Sequence, residues 1–441
     1  MKFCLVDLKI GDRKANRDHT GGFGSFMHAD GLMGSIVSRL KEKLIHIPVL
    51  SLCYGISILN RGGHEATYSY GKVGDADIII IASSMHCYKE EVAFASHQKK
   101  NFPNRKVGFW GAFSKTNPEL FRDVADFIIK GDLETTLIAY CKEPFDFSGD
   151  LDHGIVKNMD EIPPAQFPQK QIKKFSYFPL LHAKPVVTML TSKGCSYDCE
   201  YCPYMVTQTK LYRRKNPSLV VDEIEHYLIN YDIKSIMFRD IIFTLNRRHV
   251  EKICQEIIKR KIKIEWACET HPDHLPYDLI DLMYEAGFRG VNLGLETEDV
   301  EVIELNGRKP YKTKNQLEMV NYLHSKGIRV NGFYILGMLG DTPSSMRNTF
   351  LYASKLNTIG AQFCTMTPFP GTKTFERLKE DLIETDFTKF DIYSPVVDIK
   401  TSSVNEVVQA SKKSYQYYIR KKWLANYFFS TVYRALMCVT R

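Results

Sequence analysis

The chain lacks the features that would place it outside a reducing cell interior. No leader of charged then apolar residues opens it, and no run in its basic tail reaches bilayer length, so a cytoplasmic protein is expected. Its eleven cysteines are unevenly spaced, which argues against a disulfide framework. With 44% hydrophobic and 25% charged residues, extended disorder is excluded. A distributed basic groove is missing as well. The net charge of +8 gathers in residues 401–441, where Lys412, Lys413, Arg420, Lys421, Lys422, Arg434 and Arg441 face the single acid Glu406. The rest of the chain is nearly neutral, and no nucleic-acid partner is expected. A length of 441 residues allows about two to three domains.

What is present begins with Cys195, Cys199 and Cys202 in "TSKGCSYDCEYCPY". No further cysteine follows until Cys254, whereas four-thiolate clusters and closed structural zinc sites both need four ligands. Three local ligands imply an open position. The aromatic Tyr201 directly precedes the third cysteine, and the loop follows the β-rich run "KPVVTMLTSKGC". This stretch resembles the radical S-adenosylmethionine superfamily. The resemblance implies a 4Fe-4S cluster on Cys195, Cys199 and Cys202, with S-adenosylmethionine chelating the fourth iron and Tyr201 beside it. An external one-electron reductant would then trigger release of a 5'-deoxyadenosyl radical. Cysteine spacing alone leaves a second reading open, a zinc knuckle completed by a distant His or Cys. Cys4, Cys53, Cys141, Cys254, Cys268 and Cys364 lie in apolar runs and read as small core residues.

Two α/β patterns share the chain. In residues 1–142, strand-like runs "KFCLVDL", "HEATYSY", "ADIIIIA", "KVGFWG" and "DFIIKG" alternate with helical stretches, the mark of a doubly wound, Rossmann- or flavodoxin-like sheet. Ligands of such sheets lie beyond the strands' carboxyl ends. "ILNRGGHEAT", "ADIIIIASS" and "IIKGDLETTLIAY" resemble the cobalamin-binding domain that precedes many radical S-adenosylmethionine enzymes. That resemblance implies cobalamin contacts at Ser83, Ser84, His86, Gly111 and Gly131. The Asp-x-His-x-x-Gly motif that supplies an axial histidine in other cobalamin proteins is absent. "GGFGSFMHADGLMGSIVSRLKEKL" is long for a connecting loop, and its second half reads as an extra helix. Residues 143–185, with Pro144, Pro163, Pro164, Pro168 and Pro179, read as a linker.

Residues 186–380 carry six strand patterns, "VVTMLT", "SIMFRD", "KIEWACE", "GVNLGLE", "RVNGFYILGM" and "AQFCTMTPF", with helical periodicity between them. They predict a partial (βα)6 barrel with its chemistry at the strands' carboxyl ends. There the resemblance places Asp240 toward the methionine ammonium, Glu296 toward the ribose hydroxyls and Gly337 beside the adenosyl group; Glu269 and Gly340 are further candidates. From the residues alone, Asp240 could instead pair with Arg239, and Glu296 could cap the following helix. Residues 381–441 form a basic, aromatic extension with helical spacing. It could pack on the barrel or lie on an anionic membrane surface presenting a lipid-like substrate.

Taken with the upstream domain, the resemblance implies a cobalamin-dependent methyltransferase acting on an unactivated carbon of a small biosynthetic intermediate. Two alternatives stay open: a cyclase or rearrangement enzyme with the first domain as scaffold, and a non-catalytic metal-cluster protein.

Overall fold

The computed structural model of the chain describes residues 1–10, 13–14, 21–25, 44–311 and 316–424; the extra helix expected within 26–43 lies outside them. The first sheet comprises β1 (Lys2–Val6), β2 (Glu65–Ser69), β3 (Ile78–Ala82), β4 (Lys106–Trp110), β5 (Phe127–Ile129) and β6 (Gly149–Leu151), in the order β2-β1-β3-β4-β5-β6. All its pairings are parallel. β3 is apolar throughout, "IIIIA", because helices cover both faces of such a sheet. The linker expected from residue 143 therefore starts later. β6 is a short edge strand in which Gly149 and Asp150 are exposed and Leu151 alone is apolar and half-buried, so it carries no hydrophobic run to read.

Helix α1 (Leu50–Arg61) is buried on nearly every side. Leu52, Ile56 and Leu59 pack on the first sheet, while Leu50, Cys53 and Tyr54 join the core of the second unit. A helix apolar all round belongs between two layers. Its end is set by Gly62, whose N–H bonds the Ile58 carbonyl at 2.9 Å. Helices α2 (Tyr88–Asn101) and α3 (Leu133–Lys142) also belong to the first unit, with the short helix Ala112–Thr116 between them.

The second sheet holds β7 (Val186–Met189), β8 (Ser235–Phe238), β9 (Glu265–Thr270), β10 (Phe288–Glu296), β11 (Arg329–Leu336) and β12 (Gly360–Thr365) in sequential, parallel order. Helices α4 (Pro217–Tyr231), α5 (Arg247–Lys259), α6 (Tyr277–Glu285), α7 (Gln316–Ser325) and α8 (Pro343–Leu356) follow in turn. In α5, Val250, Ile253, Cys254 and Ile257 are buried at helical spacing, the stripe that seats it on the sheet. Along β11, Val330, Tyr334 and Leu336 are buried while Asn331, Phe333 and Ile335 are half-buried on the opposite face, which is the inner wall of an open barrel. Leu180 and Leu181 from the linker fill that interior beside Val186, Met237 and Ala267.

Helix α9 (Val404–Leu424) closes the free edge. The Tyr415 hydroxyl accepts from the Phe363 N–H at 3.2 Å and donates to its carbonyl at 3.1 Å, so a side chain takes the place of a neighbouring strand on β12. Described tail residues thus pack on the barrel; residues 425–441 lie outside the description. Among the described residues, no helix is long and apolar enough to cross a membrane.

Candidate active site

The cysteine loop leaves β7 through Thr191 and a short ladder in which Ser192–Lys193 pairs with Arg213–Arg214. Gly194 makes the turn at φ +90°, and a Cβ there would run into the Leu211 carbonyl, so only glycine fits. The Cys195 N–H then bonds Thr209 O at 3.2 Å, and the Cys202 N–H bonds Cys199 O at 3.2 Å. The three thiols share one neighbourhood. Burial pushes the Cys199 thiol up to about 11 and the Cys202 thiol up to about 12, with the other cysteines adding to the effect; burial also raises Cys195. Tyr201, Val302, Met338 and Met366 pack beside Cys199 and Ile335 as an apolar wall. Among the described residues, no three His, Cys, Asp or Glu side chains surround a point that would hold one metal ion. The thiols of an iron-sulfur cube bind separate irons and need no such point. The donor set therefore fits a cluster.

Glu296 ends β10 at a register shift, with φ +52°. A non-glycine residue there costs roughly 1 kcal/mol and needs surroundings that enforce it. Arg308 does so: it forms an ion pair with Glu296 and donates to the Tyr201 hydroxyl at 3.0 Å and the Gly294 carbonyl at 3.0 Å. Both partners also act electrostatically on Cys199. Glu296 is not a helix cap; Asp299 caps the helix Val300–Leu305. Arg308 escapes sequence reading because nothing in "LNGRKP" ties it to a strand end 12 residues earlier. The turn at Gly307, φ +70°, is the signal that the chain doubles back there.

Asp240 departs from expectation. Its carboxylate is fully buried and accepts from Thr191 N at 3.1 Å, Thr191 Oγ1 at 2.7 Å and Ser192 Oγ at 2.5 Å. It anchors the root of the cysteine loop, because a buried carboxylate must be met by donors wherever they lie. Nor does it pair with Arg239, which forms an ion pair with Glu269 instead. Glu269 also accepts from Asn292 at 3.0 Å, and Asn331 donates to Asn292 at 3.1 Å, giving the barrel's inner wall a polar network. Cys364, read as a core residue, lies half-buried on the same face and accepts from Gln362 at 3.3 Å. Gly337 has φ +73° and abuts Val407 of α9, so it serves the turn after β11.

His249 supports the anchor, its Nε2 lying 3.3 Å from Thr191 Oγ1. Burial lowers it to about 4, so the folded protein holds it neutral. In the unfolded chain it protonates below about 6.5, so this stability is full above that value and is lost as pH falls toward 4. Between pH 7.5 and 5 the loss is about 2 kcal/mol. His271, lowered to about 3 by burial and then Arg308, acts in the same direction. Urea unfolding is expected to show a shallower acid slope in His249→Gln than in the parent; identical slopes would contradict this account.

At the carboxyl ends of the first sheet, Ser83 Oγ donates to Ser114 Oγ at 2.9 Å, and Ser84 Oγ donates to Glu91 at 2.7 Å. Gly111 has φ +138°, and a Cβ there would meet Ser83 Oγ. Ser83, Gly111, Ala112 and Ser114 make a seam of small residues that suits the close approach of a slender ligand tail. It is crossed by the chain itself: Gly21 O accepts from Ala112 N at 2.7 Å, and Phe23 O from Met85 N at 2.7 Å. His86 Nδ1 lies 2.5 Å from Thr388 O, so Nδ1 donates and the ring is held at the rim. Gly131 abuts Gly154 and serves the turn into α3. The seam fits cobalamin in composition, and Gly21–Ser25 is the segment that ligand would meet.

Residues 189–353 match the family described as the Radical SAM superfamily. The chain is 26% identical over 308 residues to "Uncharacterized methyltransferase PH0819" of Pyrococcus horikoshii, covering 69% of this chain and 66% of that protein. It is 24% identical over 280 residues to the anaerobic magnesium-protoporphyrin IX monomethyl ester cyclase of Rubrivivax gelatinosus, covering 62% and 49%. The chain thus spans about half to two thirds of the length of these relatives. Its fold is that of the radical S-adenosylmethionine methyltransferase TsrM from Kitasatospora setae, solved with cobalamin and a [4Fe-4S] cluster: TM-score 0.63 at 16% identity, covering 86% of this chain and 77% of that one.

Proposed function

We propose, from the premise that residues 189–353 are a radical SAM domain, that this protein reductively cleaves S-adenosylmethionine at a 4Fe-4S cluster. With cobalamin on the first sheet, it transfers a methyl group to an unactivated carbon of a small biosynthetic intermediate. One observation carries the reading: three neighbouring thiols and the Arg308–Glu296 pair gather at the carboxyl ends of a parallel partial barrel. The TsrM likeness supports the two-sheet arrangement.

When bound, the cluster supplies the electron that breaks the C5'–S bond, and cobalamin supplies a cobalt that can carry methyl. Cys195, Cys199 and Cys202 would hold the cluster, losing protons that burial otherwise retains. Arg308 would offer a buried guanidinium to a methionine carboxylate, and Glu296, which it holds in place, would offer acceptors to ribose hydroxyls. The apolar wall of Tyr201, Val302, Met338 and Met366 beside Cys199 would exclude water from the side of the site it covers. Ser83, Ser84, His86 and Gly111 would hold cobalamin, with Gly131 shaping the adjoining turn.

Cells expressing the chain and fed methyl-labelled methionine should accumulate a metabolite bearing the intact labelled methyl, with corrin absorbance co-purifying with the protein. The similarity to a cyclase keeps ring formation as a second reading. A product that gains a ring and no label, while 5'-deoxyadenosine is formed, would select it.

A further inference from the structure

Between the two sheets lies a group of buried charges that the proposed chemistry does not use. Asp132 is the residue that immediately precedes α3, and Glu134 lies in the first turn of that helix. Asp132 N donates to Gly154 O at 2.9 Å, and its carboxylate accepts from Val156 N at 2.8 Å. Glu134 accepts from Ser51 Oγ of α1 at 2.7 Å. Into this turn reaches Lys193, two residues ahead of Cys195. Its Nζ lies 3.0 Å from Glu134 Oε2 and 3.7 Å from Asp132 Oδ2. Arg213, its ladder partner, lies 3.5 Å from Asp132 Oδ2 and donates to Val156 O at 2.7 Å and Gln208 O at 2.6 Å. Gln208 in turn accepts from Gly194 N at 3.2 Å. The Lys193 and Glu134 side chains are 1% and 0% exposed.

Two acids of the first unit thus meet two bases of the cysteine loop's ladder, with the charges balanced. Burying such pairs stabilises little against an apolar contact of the same shape, but a pair that loses one member is severely penalised. The arrangement therefore fixes a register between the units more than it adds stability. Lys193, Gly194 and Cys195 are consecutive, so whatever fixes Lys193 fixes the first thiol.

We propose that Asp132 and Glu134 are positioning residues for the cluster: the first α/β unit seats the cysteine loop through Lys193 and sets the charge that a bound cluster experiences. This rests on the cluster reading of the three cysteines. Cluster potential depends on nearby charge, hydrogen bonding and exposure, so the two members of the pair have opposite signatures. Glu134→Gln removes a negative charge and is expected to shift the midpoint potential upward; Lys193→Met removes a positive charge and shifts it downward. The double variant returns toward the parent value.

The experiment uses the full chain, reconstituted anaerobically, with the potential followed by spin resonance. Hydrogen exchange across 192–195 in the metal-free protein is measured alongside, and it should rise in both single variants. Opposite shifts with restored behaviour in the double variant support the proposal. Shifts of one sign, or none, in variants that hold a cluster would overturn it. If a variant takes up no cluster, unchanged exchange in its metal-free form overturns the proposal and raised exchange supports it. If the parent itself binds no iron, the cluster reading fails, while the exchange arm still decides whether the first unit seats the loop.

Discussion

Cys199→Ala is expected to fold as the parent does and to hold no intact cluster, with 5'-deoxyadenosine formation lowered about a thousandfold or more, to background, as when one member of an obligate set is removed. The fold should survive because Cys199 is only partly buried at the loop and stands outside both sheets. The effect on chemistry should be nearly total. Three thiolates hold the cube, and two cannot retain the geometry that leaves one iron open to S-adenosylmethionine. Iron content and the visible cluster absorbance of the reconstituted variant check this. Parental iron together with parental 5'-deoxyadenosine would show that Cys199 is not a ligand.

Gly194→Ala is expected to be almost as damaging while leaving all three thiols in place. The residue holds φ +90°, and its missing Cβ makes room for the Leu211 carbonyl. An alanine would take on left-handed strain of about 1–2 kcal/mol and a clash with backbone that no side-chain rotation relieves. Cys195 is the next residue, so the displacement reaches the first of the three proposed cluster ligands directly. We expect iron incorporation to fall severalfold or more, with the circular dichroism of both sheets unchanged. Full incorporation would mean that the loop tolerates another path, and the tight Gly194 turn would lose its role.

Local pattern made much of this protein legible. Each strand of the second sheet overlaps, and five of the first fall within, runs whose apolar residues a doubly covered parallel strand requires, and the cysteine spacing marked the candidate site, although spacing alone left a zinc knuckle open. What stayed hidden depends on pairings distant in sequence. Arg308 meets Glu296 only because the chain turns back at Gly307, and Glu134 meets Lys193 across 59 residues. Asp240 was legible as a strand-end acid, but its partners Thr191 and Ser192 lie 49 and 48 residues away; their hydroxyls turn a ligand candidate into a loop anchor. β6 escaped notice because an exposed edge strand needs no apolar run. Glu296 shows both sides: its position was readable, whereas its left-handed backbone follows from the bulge in β10 and the grip of Arg308.

The central claim is that these three cysteines hold a cluster that cleaves S-adenosylmethionine. The most direct measurement is anaerobic reconstitution of the full chain with iron and sulfide, followed by reduction in the presence of S-adenosylmethionine and quantitation of 5'-deoxyadenosine. The account predicts about four irons per chain and 5'-deoxyadenosine that appears only with reductant. A protein that binds zinc in place of the cluster, or that binds iron and yields no 5'-deoxyadenosine, would contradict it.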